Sequence, residues 1–138
     1  MLMSFKKLDP TQSNASVFPK ILLIYGYNQE ELAVLLPWLE KIHASYLIID
    51  SSATGMTVEE ILKQEPINKS PIHVSQQKTI VLSGYSQKDL YDFVQSIKTL
   101  SLKRPILATV TPTSVKWPFG QLVKELMLEH AQMSKKSL

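Results

Sequence analysis

The sequence predicts an α/β domain in which duplicated βαβα units form a mostly parallel four-stranded sheet, strand order 2-1-3-4, with helices on both faces. Three observations lead there. First, Lys20–Leu32, KILLIYGYNQEEL, returns 58 residues later as Lys78–Leu90, KTIVLSGYSQKDL, and the correspondence continues through Ile42 and Leu100. Two copies are too few and too short for a solenoid, so they read as halves of one domain. Second, both copies open on a largely apolar run followed by glycine, the pattern of a strand buried on both faces. Third, each run is followed by an amphipathic helical stretch and a further strand, and strands alternating with helices build a parallel sheet. Right-handed crossovers and a pseudo-twofold between the halves favour the stated strand order.

The chain has 138 residues, 44% apolar and 20% charged, which suits one ordinary globular domain. Such a domain removes roughly two-thirds of its unfolded surface from water. The expected organisation is a flexible arm at 1–18, a domain at 19–133 and a frayed tail at 134–138, with units 19–65 and 78–133 joined by a linker at 66–77. With no cysteine there is no disulfide, no thiolate nucleophile and no cysteine-held metal, which fits a reducing, cytoplasmic setting. The N-terminal stretch lacks an uninterrupted apolar signal region, and no run approaches the ~18 apolar residues of a membrane span, so neither export nor membrane insertion is expected. A net charge of +3 raises a nucleic-acid reading, but the basic residues are fourteen Lys and one Arg among twelve acids. Arginine is the usual bidentate reader of phosphate and guanine edges, so its scarcity argues against nucleic acid.

Residues 1–18 show neither apolar period, and Leu2, Phe5, Leu8 and Phe18 are their candidates for docking on the domain. Ile21–Tyr25 is the first strand. Gly26 turns the chain, Asn28 caps the next helix in a box with Glu31, and Tyr27 with Leu32 has the spacing of a hydrophobic staple. That helix runs to about His43 with Leu32, Leu35, Leu36, Leu39 and Ile42 inward, and Pro37 predicts a kink. Tyr46–Asp50 is the second strand, and Thr57 with Glu60 opens a short helix that Pro66 closes. Within the linker, Ile72–Val74 has the composition of a short edge strand. The second half repeats the plan. Strand Thr79–Leu82 leads to Gly84, to the cap Ser86 with Asp89, and to a helix that points Leu90, Phe93, Val94 and Ile97 inward. Strand Pro105–Val110, a turn at Thr111–Ser114, and a helix from about Trp117 to Met133 complete the chain, with Pro118 suited to a first turn.

The strand followed by GYNQEEL or GYSQKDL, and above all the closing ILATVTPTSVKWPFGQLVKELMLEH, resembles the microbial family termed domain of unknown function 3783. The resemblance is clearest over about sixty residues of the second half; the counterpart in the first half, SSATGMTVEEIL, lacks the TPT-x-x-K-W stretch. It implies a small cytoplasmic α/β protein and brings no activity or catalytic residues with it.

In the predicted sheet the two repeat strands lie side by side and parallel, so the topological switch point falls between Gly26 and Gly84. Two helix N-termini would meet there, with free donors and the positive ends of their dipoles, an arrangement suited to an anion. The candidate ligand residues are therefore Gly26, Tyr27, Gln29, Gly84, Tyr85 and Gln87, joined by Thr111, Thr113 and Trp117 after the fourth strand. Turn, cap and staple roles account for most of the repeated residues and leave Gln29 and Gln87 without one. Neither copy carries GxGxxG or a Walker loop, which argues against a dinucleotide or P-loop site. Asp50, followed by Ser51, Ser52 and Thr54, reads as a strand-end residue bonding its own loop. His43, His73 and His130 fall on separate segments, and no catalytic constellation, metal-ligand spacing or cofactor motif is present. Val34 and Trp38 form an i,i+4 pair off the main stripe where the second copy has Asp92 and Ser96, which makes a partner patch if it is exposed; the arm's Phe5 or Phe18, residues 66–77 and a second subunit are the candidates to cover Trp38. The expected function is a non-enzymatic interaction or regulatory module with a protein partner, most simply a homodimer. The alternative is a small anionic-ligand binder or enzyme with its site at the switch point.

Overall fold

Four strands and four α-helices follow one another in the computed structural model, which describes residues 18–136: β1 (Ile21–Tyr25), α1 (Gln29–Lys41), β2 (Tyr46–Ile49), α2 (Val58–Leu62), β3 (Thr79–Ser83), α3 (Gln87–Ile97), β4 (Ile106–Thr109) and α4 (Phe119–Lys136), with single 3-10 turns at Ser51–Ala53 and Ser114–Lys116. Leu2, Phe5 and Leu8 of the predicted arm lie outside the described residues, whereas Phe18 packs against the core. The capping chemistry is as the sequence implies. Asn28 Oδ1 accepts the Glu31 N–H at 2.8 Å while Glu31 Oε1 accepts the Asn28 N–H at 2.9 Å, and Thr57 and Glu60 form the same box before α2. Ser86 Oγ accepts the Asp89 N–H at 3.1 Å to start α3. The helix α1 continues through Pro37.

The strand order is β2-β1-β3-β4, as predicted, but the sheet is mixed. The outer pairs β1–β2 and β3–β4 are parallel and the central pair β1–β3 is antiparallel, which corrects the expected parallel centre. The linker is the reason. It forms no edge strand at Ile72–Val74; instead Ile72 is clamped on Thr54, whose Oγ1 accepts the Ile72 N–H at 2.8 Å and lies 2.9 Å from the Ile72 carbonyl. The Tyr25 hydroxyl then donates to the Val74 carbonyl at 3.3 Å. These anchors carry Gln77 to the edge where β1 ends, so β3 starts there and runs back alongside it. The path is close-packed: a Cβ built on Gly26, where φ is 91°, would lie 2.4 Å from the Gln77 carbonyl oxygen.

Period-two alternation gives the central strands β1 and β3 two buried faces, whereas outer β2 leaves Ile48 exposed. Leu22, Ile24, Ile80 and Leu82 point to the layer of α1 and α3, where Leu35, Leu39, Leu90, Phe93 and Ile97 meet them. Leu23, Tyr25 and Val81 point to the layer of α2 and α4, against Val58, Ile61, Phe119, Leu122 and Val123. In the central ladder Leu23 faces Val81, Ile21 faces Ser83 and Tyr25 faces Thr79. These residues are related by the 58-residue repeat offset, so exchanging the halves maps the ladder onto itself.

Gly26→Ala should therefore cost about 1–3 kcal/mol through left-handed backbone strain alone, with the clash against Gln77 added to it. Urea unfolding checks this against the exposed helical control Gln95→Ala, for which little change is expected.

Candidate functional site

The antiparallel centre separates the residues that the sequence places at one switch point. Gly26, Tyr27 and Gln29 follow β1 at one edge of the sheet, whereas Gly84, Tyr85 and Gln87 follow β3 at the opposite edge. Thr111 follows β4 at the Gly84 edge, yet Trp117 packs on the α2/α4 core cluster while Tyr85 packs on the α1/α3 cluster. The predicted crevice between Gly26 and Gly84 is thus not formed. The hydroxyls after β4 serve their own turn: Ser114 Oγ accepts the Thr111 N–H at 3.0 Å and Thr111 Oγ1 accepts the Ser114 N–H at 2.9 Å. Thr113 is exposed. Asp50 Oδ1 accepts the Ser52 N–H at 2.9 Å, the loop-bonding role expected of it.

The repeated residues instead tie each half to the other. Lys20 Nζ lies 2.8 Å from Asp89 Oδ2 and 5.0 Å from the centre of the Tyr85 ring. Lys78 Nζ lies 2.8 Å from Glu31 Oε2 and 5.9 Å from the centre of the Tyr27 ring. Each lysine enters its strand at the edge where the other strand leaves, and so meets the first turn of the other half's helix. Hydrogen bonding to the Asn28 backbone, then to Lys78, lowers the pKa of Glu31, and Lys20 lowers that of Asp89. Burial raises the pKa of both tyrosines, with a further rise from the neighbouring carboxylate.

A cleft of about 270 Å³ opens beside the Lys20 latch, between the end of α1 and the start of α3. Phe93 lies in its wall, with Ile42, His43, Tyr85, Asp92 and Ser96 around it. His43 takes a left-handed φ of 59°, which lets α1 turn into β2 within a few residues and leaves the space unfilled. The corresponding place at the other edge, lined by Tyr27, Leu35, Leu100, Leu102 and Arg104, retains about 10 Å³. Of the sequence-predicted residues only Tyr85 lines the open cleft. Asp92 and Ser96 also line it, and their only signal in the sequence is that they stand where the first copy has Val34 and Trp38. Trp38 is half-buried and packs on Phe93, ring centres 5.7 Å apart, while Val34 stays 43% exposed. Among the described residues, no three His, Asp or Glu side chains gather to hold a metal ion, and no helix is long and apolar enough to cross a membrane.

Fold and contacts define a small α/β protein whose halves are joined across an antiparallel ladder. Residues 78–133 match the sequence profile of the family described as Domain of unknown function (DUF3783), which is the second half of the chain. No curated protein and no solved structure matches the chain.

The sheltered Lys78–Glu31 pair, 19% and 22% exposed, should couple more strongly than the Lys20–Asp89 pair at 55% and 42%. Double-mutant cycles with Lys78→Met and Glu31→Gln, and with Lys20→Met and Asp89→Asn, measure both; the exposed pair should fall within roughly 0.2–1 kcal/mol. Both carboxyls are held below their ordinary values in the folded chain. Their stabilisation is complete above the unfolded pKa of about 4 and is lost as pH falls through the lower folded values, so both couplings should fade in acid.

Proposed function

We propose that the chain is a non-enzymatic interaction module made by duplication, with its partner-facing groove between α1 and α3. The carrying observation is the difference between halves that otherwise make reciprocal contacts. Where the second half has Asp92 and Ser96, the first has Val34 and Trp38, so each half serves as the reference for the other. Val34, 43% exposed where its counterpart is the charged Asp92, extends the apolar surface of half-buried Trp38, and an apolar patch of this kind supports a partner-facing reading. Val34 lies one turn from Trp38 on α1, Trp38 touches Phe93, and Phe93 also lines the cleft. The partner is most simply a second copy of this chain. Val34→Asp, which installs the second half's residue at an exposed site, should leave the fold intact and raise the dimer Kd at least tenfold. Trp38→Ala should raise the Kd likewise through loss of an interface anchor worth ~2 kcal/mol or more, and should also lower monomer stability because its ring packs on Phe93. Light scattering reads both; a wild-type chain that stays monomeric at millimolar concentration removes the second copy as partner.

The open cleft favours a second reading, a small polar ligand held beside Lys20, His43 and Asp92. Its volume lies just under the roughly 300–1,000 Å³ of pockets for drug-sized ligands, so the ligand is small. A thermal-shift screen of amino acids, small amines and carboxylates should give a rise of several degrees with one class. The variant Asp92→Val with Ser96→Trp, which carries the first half's residues, should abolish that rise.

A further inference from the structure

The cleft beside the Lys20 latch gathers three features that favour one kind of ligand. Tyr85 and Phe93, ring centres 6.2 Å apart, give it an aromatic wall. Lys20, Asp89 and Asp92 line it, so among its described residues the carboxylates outnumber the ammonium. Ile42, His43, Ala44 and Ser45 bring to it the C-terminal end of α1, where the helix dipole is negative and cations are stabilised. An ammonium already sits in this setting. Lys20 Nζ lies 2.8 Å from Asp89 Oδ2 and 5.0 Å from the centre of the Tyr85 ring, held by one carboxylate and one aromatic face.

We infer that this cleft binds a small organic ammonium ion, seated by Asp92 and Phe93 next to the ammonium that Lys20 supplies, an inference that rests on the cleft being a ligand site. Lys88 Nζ engages Asp92 Oδ2 at 2.9 Å, but the two side chains are 83% and 57% exposed on the surface of α3. Such a pair is weak, and an incoming cation displaces it. The fold does not need an acid at this position, because the first half packs with Val34 there. An anion is poorly served: Lys20 is already held by Asp89, and both Asp92 and the end of α1 repel negative charge. At the other edge Lys103 and Arg104 line the corresponding place, which retains about 10 Å³, so the preference belongs to the Lys20 edge.

The probe is n-butylammonium, with butyrate and butanol as matched controls, added to the full chain and followed by thermal shift and by amide chemical shifts. Butylammonium should bind saturably, raise Tm and move the signals of His43, Asp92 and Ser96, while the controls at the same concentration do not. Asp92→Asn, a change at an exposed side chain, should weaken this binding roughly tenfold through loss of a charge-assisted contact. Lys20→Met should tighten it, because the change frees Asp89 and the Tyr85 ring and removes a like charge. Butylammonium binding that Asp92→Asn leaves unchanged, or that Lys20→Met weakens, overturns the inference. Butyrate bound in its place and lost in Lys20→Met also overturns it, yet keeps the cleft as a ligand site. A folded chain that binds none of these probes overturns it too, and the ligand site falls with it when the wider screen of amino acids, amines and carboxylates is equally silent.

Discussion

The antiparallel ladder between β1 and β3 is the constraint on which the rest of the molecule depends. Its centre at Leu23 and Val81 puts the first residue of each strand beside the last residue of the other. Lys20 and Lys78 are thereby delivered to the first turn of the opposite helix, where an acid at the third helical position and a tyrosine wait for them. The spacing of the repeated motif follows from this. Lysine, glycine, tyrosine and acid are each one side of a contact that the other half completes. The ladder's apolar side chains stand at the centre of the core: Leu22, Leu23, Ile24, Ile80, Val81 and Leu82 are all buried, and burying such a side chain is worth about 1.5–3 kcal/mol. The ion pairs contribute less to stability and more to register, because a slip of one residue would turn every apolar side chain to the wrong face.

Against that shared frame the halves diverge on both layers. The helix after β2 has five residues and the helix after β4 has eighteen, so the α2/α4 layer is completed by the linker on one side and by a long helix on the other. On the α1/α3 layer the short turn at His43 leaves an open cleft, whereas Leu100, Leu102 and Pro105 occupy the matching place. Trp38 belongs to both accounts. Its ring packs on Phe93 and so helps to hold α1 against α3, yet it remains half-exposed at the top of the groove. The residues that look most like a ligand motif in the sequence are thus occupied by architecture. The distinctive surface lies where the two halves disagree.

The chain by itself determined the order of the main elements, their caps and the centre of their inward faces, although Ile42 of the predicted α1 stripe is exposed just past the helix end. These depend on neighbours three to five residues apart: the Asn28–Glu31 and Thr57–Glu60 boxes, the stripe through Leu35 and Leu39, and the apolar runs of β1 and β3. The strand order was also legible, because the repeat and the handedness of crossovers leave few alternatives. The direction of the central pair was not. A strand buried on both faces carries the same apolar pattern whether its neighbour runs with it or against it, so periodicity is silent on the point. Direction was decided by the route of the linker, through the bonds of Thr54 to Ile72 and of Tyr25 to Val74, which join residues 18 and 49 positions apart. The same long-range contacts placed Gly26 and Gly84 at opposite edges, paired each lysine with the far helix and opened the cleft beside His43. Tertiary structure alone made those choices, because each is a contact between segments whose local sequences are compatible with either outcome.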